Sequence, residues 1–387
     1  MIYFDNNATT PLHPEVKRVI RESLDMFGNP SSAHESGREM RYRIEQAREV
    51  TAEFLNCYPD ELIFTASGSE ANNTVLKSVI TCCGCNCSAA PVHVITSSIE
   101  HPSILNTLKC MGGGSTEVTY LPVDQYGMVD PDQVRKSIKK NTKLISIMYA
   151  NNEIGTIQPI EKIVEIAKEH NILFHTDAVQ AVGKLEIDLK KLNVDFMSLS
   201  GHKIYAPKGV GVLFQRRGNK VLCPLISGGH QENSLRAGTE NTIGILAIGE
   251  AFRQLARESK DEVKHLRMLR DRLEKLLFDT IPGIKLNGHP EERLPGTLNV
   301  SFKNIEGESI LLRLDMFGIA VSTGSACSSG SLDPSHVIMA LGVEPEIAHS
   351  SVRFSLGREN TIEEIDEAAV IIRDTVEALR KISPIKV

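Results

Sequence analysis

Short apolar runs at residues 61–65, 92–96, 144–149, 172–176, 196–198 and 210–214 alternate with charged stretches of helical spacing. A mostly parallel sheet requires that alternation, since each crossover to a parallel neighbour takes a dozen or more residues, usually a helix. Open sheets of this kind bind ligands beyond the carboxyl ends of their strands, so the polar residues after each run are the ones to inspect. They are Ser67-Gly68-Ser69-Glu70, Glu100-His101, Asn151-Asn152-Glu153, Asp177-Ala178-Val179-Gln180 and Ser200-Gly201-His202-Lys203. Five loops are thus expected to converge on one site.

Ahead of these runs, Met40, Ile44, Ala47, Val50 and Phe54 recur at helical spacing and predict an amphipathic helix over 38–55. Past residue 258 a charged periodic helix at 262–277 precedes a second α/β pattern, with strands near 297–302, 319–322 and 352–355. The last helix, about 362–381, carries Ile362, Ile365, Ala369, Ile372 and Val376 on one face. A chain of 387 residues exceeds what one hydrophobic core usually supports. The expected division is a large domain of 14–258 and a smaller α/β domain built from 1–13 and 259–387.

A formal net charge of -6 argues against a general nucleic-acid binder. The apolar runs fall far short of the roughly 20 residues that cross a bilayer, and no basic segment followed by an apolar stretch opens the chain. No membrane association and a cytoplasmic location are expected, and with them reduced thiols. Of eight cysteines, Cys82, Cys83, Cys85 and Cys87 form one tract, whereas Cys57, Cys110, Cys223 and Cys327 stand alone. The tract is read as a surface loop, with zinc or iron binding by two or three of its thiols as the alternative.

Directly after a strand, Ser200-Gly201-His202-Lys203 offers an amine beside a flexible hinge, as a lysine must be placed to reach a cofactor aldehyde. Lys203 is the Schiff-base candidate. A pyridoxal phosphate (PLP) ring needs an anion opposite its pyridine nitrogen, and Asp177 fits; Gln180 is placed to donate to the ring's phenolic oxygen. The competing account of that pair is a helix N-cap and a solvated amide. Ser67-Gly68-Ser69-Glu70 at a strand-to-helix turn suits a phosphate or a simple capping arrangement. Arg353, helped by Asn152, is placed to clamp a substrate carboxylate, with an ordinary salt bridge as the alternative. Cys327 sits in a run of small residues, Ser322-Thr323-Gly324-Ser325-Ala326-Cys327-Ser328-Ser329-Gly330-Ser331, where an exposed thiol suggests a nucleophile or carrier.

Together these segments resemble the cysteine desulfurases of the NifS/IscS group, class V aminotransferase-like enzymes of the type I PLP-dependent transferase fold. The resemblance spans essentially the whole chain, through Tyr3-Phe4-Asp5-Asn6-Asn7-Ala8-Thr9-Thr10, Glu100-His101-Pro102, Ala150-Asn151-Asn152-Glu153, His175-Thr176-Asp177-Ala178-Val179-Gln180, Gly201-His202-Lys203, Arg236-Ala237-Gly238-Thr239-Glu240-Asn241 and the Cys327 loop. It implies a mostly parallel seven-stranded sheet and a Schiff base on Lys203. It implies Asp177 on the ring nitrogen, Gln180 on the phenolic oxygen and His101 stacked on the ring. Gly68, Ser69, Ser200 and His202 would hold the phosphate, with Thr239 supplied by the neighbouring subunit of a homodimer. Arg353 and Asn152 would bind the carboxylate of L-cysteine, and Cys327 would take its sulfur as a persulfide, leaving alanine. The sulfur would go to an iron–sulfur scaffold protein for cluster assembly. No firm metal ligand set is implied, although Cys327 is a candidate transient iron–sulfur ligand. The remaining alternatives are a selenocysteine lyase, an aminotransferase, or an iron–sulfur carrier or scaffold.

Overall fold

Along the predicted strands the apolar residues are continuous rather than alternating, which requires both faces of the sheet to be covered. A computed structural model, describing residues 1–81, 91–112, 116–323 and 333–383, shows how. The strands are β1 (Ile2–Tyr3), β2 (Leu62–Thr65), β3 (Val92–Ser97), β4 (Thr116–Leu121), β5 (Thr142–Ser146), β6 (Leu173–Asp177), β7 (Phe196–Ser200), β8 (Gly211–Gln215), β9 (Ile284–Asn287), β10 (Thr297–Phe302), β11 (Ile319–Ala320) and β12 (Ser351–Ser355). Seven of them form one sheet in the order β2-β8-β7-β6-β5-β3-β4, with β8 antiparallel to both its neighbours and the other pairings parallel. Successive residues of a strand point to opposite faces. Phe64, Ile95, Ile145, Phe174, Met197 and Val212 join one apolar core, while Ile63, Val94, Leu144, Phe196 and Leu213 join another on the far side.

The seventh strand, β4, is the one that apolar runs do not reveal. It lies at the sheet edge, its residues Thr116 to Tyr120 are half-buried or exposed, and its sequence TEVTYL alternates polar and apolar groups. An edge strand needs no apolar run because one side meets solvent.

The helix expected over 38–55 spans Glu35–Leu55, capped by His34, whose side chain accepts from the Gly37 amide. The helix expected over 262–277 is the C-terminal part of a 39-residue helix, Thr242–Thr280, so the boundary placed near 258 falls inside a continuous element. Its N-terminal part packs on the core of the large sheet through Ile245, Ile248 and Phe252, and its C-terminal part on a separate core through Leu266, Leu269, Leu273 and Leu277. That second core also holds Phe302 and Phe354 of the antiparallel sheet β12-β10-β9, and Ile2 and Phe4 from the start of the chain. Ile2 and Tyr3 pair in parallel with Ile319 and Ala320. The helix Ile362–Ile382 covers it, started by a reciprocal cap between Thr361 and Glu364.

Reduced thiols are found at Cys57 and Cys110, whereas Cys223 is disulfide-bonded, against expectation. The Cys82-to-Cys87 tract and Cys327 lie outside the described residues. No helix among the described residues is long and apolar enough to cross a membrane.

The Glu35–Leu55 and Thr242–Thr280 helices pack tightly at Ala47 and Gly249. A Cβ on Gly249 would lie 2.6 Å from Ala47 Cβ and 2.8 Å from its Cα. Gly249→Ala is therefore expected to lower unfolding free energy by about 1–3 kcal/mol through overpacking, read as a lower urea midpoint at unchanged slope.

Candidate active site

The carboxyl ends of the parallel strands open on a cavity with about 960 Å³ of open space. Each of the five loops contributes to it. Gly68, Ser69, His101, Asn152, Asp177, Gln180, Ser200, His202 and Lys203 all line it, and Arg353 closes it from β12. Thr239 does not line it and is exposed.

Asp177 is the last residue of β6 and is buried. One oxygen accepts from the Val179 amide at 3.0 Å, the other from Asn72 Nδ2 at 2.7 Å. The same Asn72 nitrogen reaches Ser103 Oγ at 2.9 Å, and that hydroxyl stands 2.8 Å from His101 Nδ1. His101 caps the helix Pro102–Met111, its Nδ1 accepting from the Ser103 amide at 3.1 Å. A nitrogen that accepts a backbone N–H carries no proton, so the neutral ring holds its proton on Nε2. Burial lowers the imidazole pKa, with Lys203 opposing protonation and Asp177 favouring it. Asn72 and Ser103 escape a reading of the sequence, because an amide and a hydroxyl in the first turns of their helices look like ordinary helix-surface residues.

Lys203 ends a single 3₁₀ turn, Gly201–Lys203, directly after β7. Its Nζ donates to the carbonyls of Asn7 at 2.5 Å and Ala8 at 2.6 Å. A Cβ on Gly201 would crowd the turn, meeting the Val210 carbonyl at 3.1 Å and Ala206 Cβ at 3.2 Å. Asn7 is a second unanticipated residue and a junction of the site. Its carbonyl also accepts from Gln180 Nε2 at 2.9 Å, its amide donates to Ser355 Oγ at 2.9 Å, and its side chain reaches Thr297 Oγ1 at 2.9 Å. The start of the chain thereby joins the large sheet's loops to the antiparallel sheet.

Arg353 is buried and makes an ion pair with Asp5 at 2.7 Å, while its Nη1 donates to the Asn152 carbonyl at 3.1 Å. The salt-bridge alternative raised by the sequence is thus present, and three guanidinium N–H groups stand outside those two bonds. Its Nε, like Asn72 Oδ1, is buried with no partner among the described residues. Among those residues no group of three His, Cys, Asp or Glu side chains is placed to hold a metal ion.

The donor set fits a phosphorylated aromatic aldehyde. A lysine, a buried carboxylate 26 positions earlier in the chain, a neutral imidazole, and hydroxyls beside a helix N-terminus share one cavity, and two buried polar atoms in it await partners. Fold and site together define a lysine-centred enzyme of the aldehyde-cofactor type.

Comparison with known proteins agrees. The family model for aminotransferase class-V matches residues 2–368. A cysteine desulfurase IscS from Methanosarcina thermophila is 49% identical over 385 residues, covering 99% of this chain and 94% of that protein. A solved NifS-like protein superposes with a TM-score of 0.91 at 38% identity, covering 98% of this chain and all of that one. A structure described as SspA in complex with cysteine gives 0.81 at 37% identity, covering 93% of this chain and 100% of that one. The chain belongs to the class-V aminotransferase family and, within it, to the cysteine desulfurases of the IscS/NifS group; its cofactor is pyridoxal phosphate.

Behind the cavity Glu100 is fully buried, accepting from Ser97 Oγ at 2.6 Å and the Met148 amide at 2.9 Å. Burial pushes its carboxyl up to about 8, against those bonds. Since the folded value lies above the unfolded one, the stability it contributes is complete below roughly pH 4.5 and is lost as pH rises toward 8. Glu100→Gln cannot titrate. Its stability relative to the native chain should grow by on the order of 1 kcal/mol per pH unit between about pH 5.5 and 7.5, measured by urea denaturation at both ends of that range.

Proposed function

We propose that this chain takes the sulfur of L-cysteine onto Cys327 and releases L-alanine, with pyridoxal phosphate bound through Lys203. The observation that carries the reading is the convergence of Lys203, Asp177 and Arg353 on one cavity. The bound cofactor supplies an electron sink that allows the amino acid's Cα–H bond to ionise. Asp177 keeps the ring nitrogen positive, Gln180 donates to the phenolic oxygen, and His101 packs on the ring face. Gly68, Ser69, Ser200 and His202 hold the phosphate, completed by Thr239 of a second copy in a homodimer. Arg353 and Asn152 orient the substrate carboxylate.

The Lys203 amine removes the α-proton. The Cys327 thiolate then attacks the substrate sulfur: an S–S bond forms, the Cβ–S bond breaks, its electron pair stays on the β-carbon, which takes up a proton, and the α-carbon regains the proton held by Lys203. Cysteine plus thiol gives alanine plus persulfide, so no external oxidant or reductant is needed. The persulfide passes to an acceptor, which we take to be an iron–sulfur scaffold protein. A cytoplasmic location suits a thiol that must stay reduced between turnovers. The chain works as two parts, 14–258 and 1–13 with 259–387, a division supported by the separate cores.

The test is to incubate the protein with cysteine and quantify alanine and sulfide. Cys327→Ala and Lys203→Ala are each expected to lose alanine release by at least about 10²-fold, and only Lys203→Ala should lose cofactor that borohydride can fix to the chain. Normal turnover by Cys327→Ala would remove the persulfide step. Selenocysteine supplied in parallel reveals whether the enzyme prefers selenium.

A further inference from the structure

A second lysine lies against the site without entering it. After Gln180 the chain turns sharply. The amides of Lys184 and Leu185 both donate to the Ala181 carbonyl, at 3.0 and 2.9 Å, and Gly183 adopts φ +78, where a Cβ would come within 2.9 Å of Leu255. The reversal lays Lys184 back over Gln180. Its Nζ donates to Gln180 Oε1 at 2.9 Å and approaches Asn7 Oδ1 at 3.4 Å. No carboxylate lies within ion-pairing distance among the described residues, and Lys184 does not line the cavity that Gln180 lines.

An amide side chain has two ends of nearly equal shape and opposite polarity, and its neighbours decide which end faces where. Only the carbonyl end can accept from an amine N–H. Lys184 therefore fixes Oε1 away from the cavity and leaves Nε2 with one hydrogen on the Asn7 carbonyl and one unspent. We propose that Lys184 is a positioning residue for the cofactor: by holding Oε1 of Gln180, it makes the buried amide present a donor rather than an acceptor to an oxyanion on the bound ring.

Burial and the cations Lys203 and Arg353 lower its pKa to about 7, with Glu262 opposing. Charged or neutral, the amine keeps N–H donors, so the orientation holds in both forms. Lys184 also spares Gln180 from a free choice between two amide rotamers, which would place an acceptor against the ring oxygen part of the time.

This inference rests on Lys203 carrying the cofactor, and the experiment separates the two. Apo protein is titrated with pyridoxal phosphate for the native chain, Lys184→Met, Lys184→Arg, Gln180→Leu and the double variant Lys184→Met/Gln180→Leu. The visible band and the dissociation constant are recorded for each, together with the thermal midpoint. Lys184→Met is expected to weaken binding about 5- to 10-fold in the native background and to have no further effect beside Gln180→Leu, while Lys184→Arg, which keeps a donor, restores most of the loss. An equal loss in both backgrounds, or none in either, overturns the proposal. Should Lys184→Met not fold, Lys184→Leu, which also lacks a donor, carries the same comparison. Absence of a visible band in the native chain would instead overturn the placement of the cofactor on Lys203.

Discussion

Positive charge held in a cavity with few carboxylates is the condition around which this site is arranged. Lys203 and Arg353 repel the Lys184 amine through protein rather than water, and burial also opposes its charge. Arg353 has a direct carboxylate partner, Asp5. Lys203 rests on two backbone carbonyls and Lys184 on two side-chain carbonyls. Neutral acceptors stabilise a buried cation less than an anion does. The cavity accordingly suits ligands that bring negative charge, a phosphate and an amino-acid carboxylate, and its polar groups are preorganised for them.

The carbonyls that hold Lys203, and one of the two that hold Lys184, come from the first eight residues, which explains why a segment so far from Lys203 in sequence belongs to the site. Asn6 and Asn7 are tied to Ser355, and Thr10 to the His202 carbonyl, so this strand of chain couples the two sheets across the cavity. Any displacement of β12 relative to the large sheet would move Arg353 and the acceptors of Lys203 together. The position of Arg353 and the lysine geometry are mechanically linked for that reason.

A second tie links the cavity to Ser335 and His336, which follow Cys327 in the chain. Ser335 Oγ donates to Glu153 at 2.5 Å, and His336 Nε2 to the Glu100 carbonyl at 3.1 Å. Burial raises Glu153 to about 7, against its Ser335 bond and the nearby Arg353 charge. Ser335 and His336 are thus fastened to two of the five strand-end loops, beside His101 and Asn152.

Much of this was readable from residue order. Continuous apolar runs separated by helical periodicity dictate a doubly covered parallel sheet, and the polar residues after each run then share an edge because parallel strands end on the same side. Lys203, Asp177, Gln180 and His101 follow from that rule and from their functional groups. The edge strand β4 did not, because a half-solvated strand carries no apolar run. Nor did the continuity of the 39-residue helix, whose apolar face changes from one core to another at midlength. Asn7, Asn72 and Lys184 were decided only by tertiary structure. Their chemistry is common in any sequence, and what gives each a role is a partner 196, 105 or 4 residues away at hydrogen-bond distance, a proximity that folding creates and periodicity does not encode.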